Sequence, residues 1–201
     1  MVRYAAAVLL SGLVLAGMAQ VASAQASKLK IGDAAPNFTD LPGVDGKKHS
    51  LAEYKDKDVL VVAITCNHCP VAVGYEDRII NFTKKYAGPK SKVQVVAINV
   101  NTGPADKLDK MIIRAKDKGF NFPYLYDESQ AVARALNARV TPEFYVFDKN
   151  RKLVYWGSMD NSQSNPKTNY LEPAVEAALA GKTVANPLTK AVGCGVQYNP
   201  K

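Results

Sequence analysis

Apolar and polar positions alternate along the chain in two distinct rhythms. Val59-Leu60-Val61-Val62-Ala63-Ile64 is an unbroken apolar run whose length and branching predict a strand buried on both faces. Val93 to Val100 predicts a second such strand, and Phe122 to Tyr126 a shorter one. Between the first two, Tyr75, Ile79, Phe82 and Tyr86 recur at steps of four, three and four, which is one face of a helix that Gly88-Pro89 stops. Leu108, Met111, Ile112 and Ala115 mark a second helix, closed by Gly119. Ser129 to Asn137 predicts a short helix with Val132 and Leu136 on one face. Phe144–Phe147 and Leu153–Trp156, separated by Asp148-Lys149-Asn150-Arg151, predict a hairpin. Gly157 to Asn169 is polar and loop-like, and Leu171, Val175 and Leu179 pattern a last helix before Gly181. At the front, Lys28 to Asp45 is irregular. Asp45-Gly46 is a turn signal, and Lys47 to Leu51 reads as the return strand of a hairpin.

Strands alternating with helices predict an α/β fold with a partly parallel sheet, and the late hairpin makes that sheet mixed. The expected architecture is one domain: a central mixed β-sheet flanked by helices on both faces, with an N-terminal hairpin extension. The segments ahead of it follow a different pattern. Arg3 precedes an Ala- and Leu-rich stretch ending in Ala22-Ser23-Ala24, which predicts a secretory signal peptide over residues 1–24 cut after Ala24. Residues 25–181 form the expected domain and 182–201 a C-terminal tail. The apolar stretch is too short, and too interrupted by Gln20, for a membrane anchor, so no membrane insertion is expected after cleavage.

Composition changes this picture little. The 201 residues are 47% hydrophobic and 22% charged, which is ordinary for a globular chain and excludes collagen-like or disordered classes. The net charge of +8 falls by one on loss of Arg3. Its lysines and arginines are spread along the chain, so a nucleic-acid partner is not expected. Three cysteines are too few for a disulfide scaffold, and in an exported chain they read as redox groups.

Two of the three stand in Thr65-Cys66-Asn67-His68-Cys69-Pro70, where the first strand meets the first long helix. A Cys-x-x-Cys there can close a small disulfide ring. Cys66 is expected near the helix N-terminus, where free N–H groups favour the thiolate that attacks another disulfide. Cys69, one turn in, would resolve the mixed disulfide, and His68 would tune the pair towards an oxidant. Such a pair is also half a zinc site, for which His49, His68 and Cys194 are the remaining ligands. Pro142, between Val140-Thr141 and the next strand, signals a turn, cis or trans.

Taken together these motifs resemble the thioredoxin-like superfamily, in particular exported redoxins and TlpA/ResA-like thiol–disulfide oxidoreductases, a group related to AhpC/TSA. The matches are Ile31-Gly32-Asp33-Ala34-Ala35-Pro36-Asn37-Phe38, Asp45-Gly46-Lys47 with Ser50-Leu51, Val59 to Cys69, Val140-Thr141-Pro142 with Phe144 to Asp148, and Trp156-Gly157. The resemblance implies a thioredoxin-like fold. It also implies a cis Pro142 facing Cys66 and Cys69, with the Thr141 backbone offering hydrogen bonds to a bound substrate segment. The implied activity is disulfide exchange, with protein thiols or disulfides and an upstream redox protein as partners. The cysteines carry the electrons, so no cofactor and no metal is expected. The Ala-rich leader, with no endoplasmic-reticulum retention tail, points to a bacterial periplasm.

Three positions depart from the pattern. Thr65 stands where thioredoxins carry Trp, and Leu60 and Ala72 stand where relatives place a proton-relaying acid. Glu76, Asp77 and Glu143 are the candidate substitutes. A peroxiredoxin-type thiol peroxidase is the alternative, with Cys69-Pro70 as its peroxidatic pair. Val62 and Cys66 then stand where that pattern wants Pro and Thr or Ser. Cys194 would resolve the sulfenate. A metal-carrying thioredoxin-like protein is a weaker alternative, because the copper-binding relatives use a later His and none follows His68. Cys194 itself, between Gly193 and Gly195, suggests a mobile segment.

Overall fold

The structure is a computed structural model that describes residues 29–200, so the expected leader 1–24 lies outside the described residues. After the lead-in, β1 (Leu41–Pro42) and β2 (Lys48–His49) form a small antiparallel hairpin. The return strand stops at His49 rather than Leu51. Ser50 and Glu53 form a capping-box sequence, the Ser50 N–H donates to Glu53 Oε1 at 2.7 Å, and a 3-10 turn over Leu51–Tyr54 takes over.

β3 (Val59–Thr65) is buried along its whole length because it is central: β4 (Val93–Asn99) runs parallel on one side and β7 (Glu143–Phe147) antiparallel on the other. The helix between β3 and β4 is α1 (Pro70–Lys85), and α2 (Leu108–Lys118) leads from β4 to β5 (Tyr124–Tyr126), which is parallel to β4. α3 (Ala131–Leu136) then leads through β6 (Val140–Thr141) to β7 and its antiparallel partner β8 (Leu153–Gly157). The five-stranded order is β5-β4-β3-β7-β8, a mixed sheet. α4 (Leu171–Leu179) follows, and the short β9 (Cys194–Gly195) pairs with β6.

The period-two alternation of strand side chains divides the core. Val59, Val61 and Ala63 face a cluster with Tyr75, Ile79 and Phe82 of α1, Met111 of α2 and Val175 of α4. Leu60, Val62 and Ile64 face the opposite cluster, which holds Val132 and Leu136 of α3 together with Phe38 and Tyr54. α3 starts at Ala131, two residues later than its sequence pattern predicts. Gln130 sits at φ 61, outside the helix, and Asp127 Oδ2 accepts the Val132 N–H at 2.8 Å as a cap. Among the described residues no helix is long and apolar enough to cross a membrane.

The tail is packed onto the domain. The Trp156 N–H donates to the Pro187 carbonyl at 2.9 Å, and the Thr189 N–H returns to Trp156 at 3.1 Å. Further on, the Val196 N–H donates to Arg139 at 3.0 Å, and the Gln197 and Asn199 N–H groups donate to Asn101 and Gln130. Cys194 therefore lies in a paired strand, where its glycine neighbours alone suggest mobility.

Candidate active site

The loop between β3 and α1 carries Cys66, Asn67, His68 and Cys69 at the C-terminal end of the sheet's parallel part. Here adjacent parallel strands deliver their following loops to one place. α1 begins at Pro70, with Cys69 as its N-cap at φ −73, ψ 119. Proline supplies a ready first helical residue and holds the residue before it extended. Cys66 therefore stands three residues before the N-cap, and Cys69 takes the position at the helix N-terminus that the sequence pattern assigns to Cys66.

Both sulfurs converge on Thr141, next to Pro142. The Cys66 sulfur lies 3.2 Å from Thr141 Oγ1, and the Cys69 thiol donates to the Thr141 carbonyl at 3.3 Å. The Thr141–Pro142 peptide bond is cis. The cysteines are free thiols with 2% and 0% of their surface exposed. The Thr141 backbone, expected to be open to a substrate, is instead paired to Cys194 of β9.

The environments separate the two thiols. Burial pushes the Cys66 thiol up, and the nearby Asp106 charge adds to this against the Thr141 hydroxyl bond. Burial acts the same way on Cys69. Hydrogen bonds from the Cys194 thiol and from the Ala72 and Cys194 backbone outweigh it and hold Cys69 below the ordinary thiol value. Cys194 is pushed up to about 11, chiefly because its proton is shared with Cys69.

Sequence reasoning missed Asp106. It lies in a 3-10 turn after β4, is 1% exposed, and fastens the Cys66–Cys69 loop from the side. The Asn67 N–H donates to Asp106 Oδ1 at 2.7 Å, and His68 Nδ1 lies 2.5 Å from Oδ2. Asn67 also donates to the Ala105 carbonyl at 2.9 Å and accepts from the Tyr124 hydroxyl at 2.9 Å. The Cys66 sulfur, a His68 nitrogen and an Asp106 oxygen lie within 4.8 Å of one another. These three side chains are the group that can hold a metal ion among the described residues, at the cost of the His68–Asp106 bond. His49, the other expected ligand, is on the β1–β2 hairpin between Asp45 and Glu53.

The three acids proposed from sequence are engaged elsewhere. Glu76 accepts a bidentate pair from Arg114, Nε to Oε1 and Nη2 to Oε2, both at 2.8 Å. Asp77 is exposed beside Lys118. Glu143 is fully buried and accepts from the Arg139 N–H and guanidinium, the Tyr145 hydroxyl and Trp156 Nε1. Its work is to brace β7 behind Pro142. The acid that does stand beside Cys66 and His68 is Asp106, in the 3-10 turn that follows β4.

A mixed sheet with this strand order, a dithiol loop after the central strand and a cis-proline loop against it define a thioredoxin-like protein. The redoxin family profile matches residues 30–172, and the chain belongs to that family. It is 30% identical over 123 residues to "Putative peroxiredoxin MT2597" of Mycobacterium tuberculosis, covering 59% of this chain and 71% of that protein. The hypothetical protein SMc02350 of Sinorhizobium meliloti superposes with a TM-score of 0.79 at 36% identity, over 86% of this chain and 97% of that one. A thiol:disulfide interchange protein of Chlorobium tepidum shares the fold, with a TM-score of 0.58 at 22% identity over 74% of this chain and 97% of that one.

Proposed function

We propose that the protein is an exported thiol–disulfide oxidoreductase working through Cys66 and Cys69. The observation that carries this reading is the convergence of both sulfurs on Thr141 beside cis-Pro142. In the reducing direction the Cys66 sulfur attacks a substrate disulfide and one substrate sulfur leaves as thiolate. Cys69 then attacks the Cys66 sulfur, releases the second substrate sulfur and leaves a Cys66–Cys69 disulfide. The His68–Asp106 pair holds the proton that Cys66 gives up. The low-lying Cys69 suits its role as the resolving thiolate and, in the oxidising direction, as the group expelled first. Protein thiols, an upstream redox protein and a bacterial periplasm complete the reading, and the leader pattern of residues 1–24 supports export.

The test is turnover of a disulfide substrate by wild type, Cys66→Ser and Cys69→Ser. We expect no turnover in the first variant and a trapped mixed disulfide in the second. Unchanged turnover in Cys66→Ser rejects the reading. Recovery of a chain starting at Gln25 in the periplasmic fraction tests the export half.

A second reading has its own support. Cys69 caps the helix and is held below the ordinary thiol value, and the Mycobacterium tuberculosis relative is described as a peroxiredoxin. There the Cys69 thiolate attacks a peroxide, the O–O bond breaks, and a sulfenate and water or alcohol result. A peroxide-dependent sulfenate at Cys69 supports this reading. A rate no faster than that of free cysteine ends it.

A further inference from the structure

We propose that Cys194 is a third redox-active thiol: β9 occupies the cis-proline edge as an internal substrate and exchanges into the Cys66–Cys69 disulfide, giving a Cys69–Cys194 disulfide. The proposal rests on the disulfide exchange proposed above and adds a destination for the oxidised bond.

Four independent features support it. First, β9 is antiparallel to β6 with Cys194 opposite Thr141, the residue that both active-site sulfurs touch. Second, Cys194 packs directly against the cluster of Cys66, Cys69 and Ala72. Third, the approach is built into the chain. A Cβ at Gly193 would lie 2.0 Å from the Thr141 carbonyl oxygen and 2.7 Å from its carbon, so only glycine lets the tail pass this close to the cis-proline loop. Gly157, at φ 150, does the same upstream, where a Cβ would meet the Thr189 carbonyl oxygen at 2.5 Å. Fourth, the strand is fastened on both sides of Cys194, through Pro187 and Thr189 to Trp156 and through Val196 to Arg139.

The step is balanced without an external oxidant. Cys194 loses its proton and its sulfur attacks the Cys69 sulfur of the Cys66–Cys69 disulfide. The Cys69–Cys194 bond forms as the Cys66–Cys69 bond breaks. The bonding pair leaves on Cys66, which regains a proton beside the Thr141 hydroxyl at 3.2 Å and the His68–Asp106 pair. One disulfide and one thiol are present before and after. The outcome moves the disulfide from two buried sulfurs to one that includes the half-exposed Cys194, where an external thiol can reach it. A thiolate attacking Cys194 then expels Cys69, whose helix-capping position makes it a good leaving group.

Disulfide mapping tests this. Wild type, Cys66→Ser and Gly193→Ala are equilibrated with oxidised and reduced glutathione, quenched in acid, alkylated, digested and read by mass spectrometry. In wild type we expect both Cys66–Cys69 and Cys69–Cys194 peptides. In Cys66→Ser, Cys69 first joins glutathione, Cys194 displaces it, and the Cys69–Cys194 disulfide accumulates. Persistence of the Cys69–glutathione adduct with a free Cys194 overturns the proposal. Gly193→Ala retains all three cysteines. It is expected to cut the Cys69–Cys194 fraction about tenfold, because overpacking displaces the strand, while the Cys66–Cys69 disulfide persists. An unchanged fraction overturns the role of strand pairing. Absence of any Cys66–Cys69 disulfide in wild type counts against the function itself, and is distinguishable from absence of the Cys69–Cys194 bond alone.

Discussion

Replacing Cys194 by alanine removes the thiol that shares its proton with Cys69 while leaving the Cys66–Cys69 pair intact. A hydrogen bond to a charged group contributes about 1.5–3 kcal/mol, and one with a sulfur donor falls at the lower end. At about 1.4 kcal/mol per unit, the Cys69 pKa should rise by about one unit. Ten times less thiolate is then present below that pKa. The more basic sulfur is also more nucleophilic, and with a Brønsted slope of about 0.4–0.5 this returns about threefold. The net expectation is about threefold slower attack by Cys69 at neutral pH. The pKa itself is read from thiolate ultraviolet absorbance against pH on the reduced protein, in a Cys66→Ala background that silences the first cysteine. That background should show two steps, a low one from Cys69 and one at about 11 from Cys194. Adding Cys194→Ala should leave a single step above the low one. A single step at or below it would refute the idea that the tail thiol sets the charge on Cys69.

Three further outcomes are expected. Glu143→Ala leaves the Tyr145 hydroxyl and Trp156 Nε1 without their buried acceptor; a loss of about 2–4 kcal/mol should lower the melting temperature by about 10 °C in a calorimetric scan. A fall of less than about 3 °C would show that the carboxylate does not brace β7. Asp106→Asn keeps the shape of the turn but cannot hold a proton for His68. Disulfide turnover at neutral pH should fall by about 10²-fold, the contribution of a positioned proton-transfer group, while the Cys66–Cys69 disulfide still forms in glutathione buffer. Equal turnover removes Asp106 from the proton path. The third outcome concerns pH and stability. Cys66 keeps its proton more tightly folded than unfolded, so between about pH 8.5 and its folded value the unfolded chain binds fewer protons and stability falls as pH rises. Urea unfolding of the reduced protein should show a shallower alkaline loss in Cys66→Ala than in wild type, and parallel slopes would contradict the burial argument.

What the sequence shows and what it hides divide along one physical line. The strands, the long helices and the Cys-x-x-Cys loop carry their signals locally, as runs and periods, and the fold has them within a residue or two of the expected bounds. Local competition sets the misses at element ends: Ser50 and Glu53 start a turn where a strand could continue, and Pro70 fixes the start of α1 one residue past Cys69. The site is different, because it is made of residues that meet only in space. Asp106 is one ordinary acid among eighteen acidic residues until β4 sets its loop beside the loop after β3. The family positions for a relay acid, Leu60 and Ala72, are both buried and apolar here, which leaves Glu76, Asp77 and Glu143 as the candidates in sequence. Glu76 and Asp77 follow the cysteines on α1 and Glu143 follows Pro142 in sequence, yet Glu76 and Glu143 are tied to arginines and Asp77 faces solvent beside Lys118.

Cys194 follows the same rule more sharply. Its flanking glycines read as flexibility when only the chain is in view. With Thr141 in place, Gly193 is the residue that lets a strand pass within contact of the cis-proline loop, so the same glycine is a requirement of packing rather than a sign of freedom. A tail held there blocks the edge that a substrate strand would use under the proposed function, and Cys66 and Cys69 are nearly fully covered with it in place. Under the proposed function, a large substrate has to displace β9 or exchange through its cysteine. These routes make opposite demands on the tail. If displacement governs, weakening the strand with Gly193→Ala should speed turnover of a protein disulfide; if exchange through Cys194 governs, the same change should slow it. The sign of that one rate change decides whether the third cysteine guards the pair or serves it.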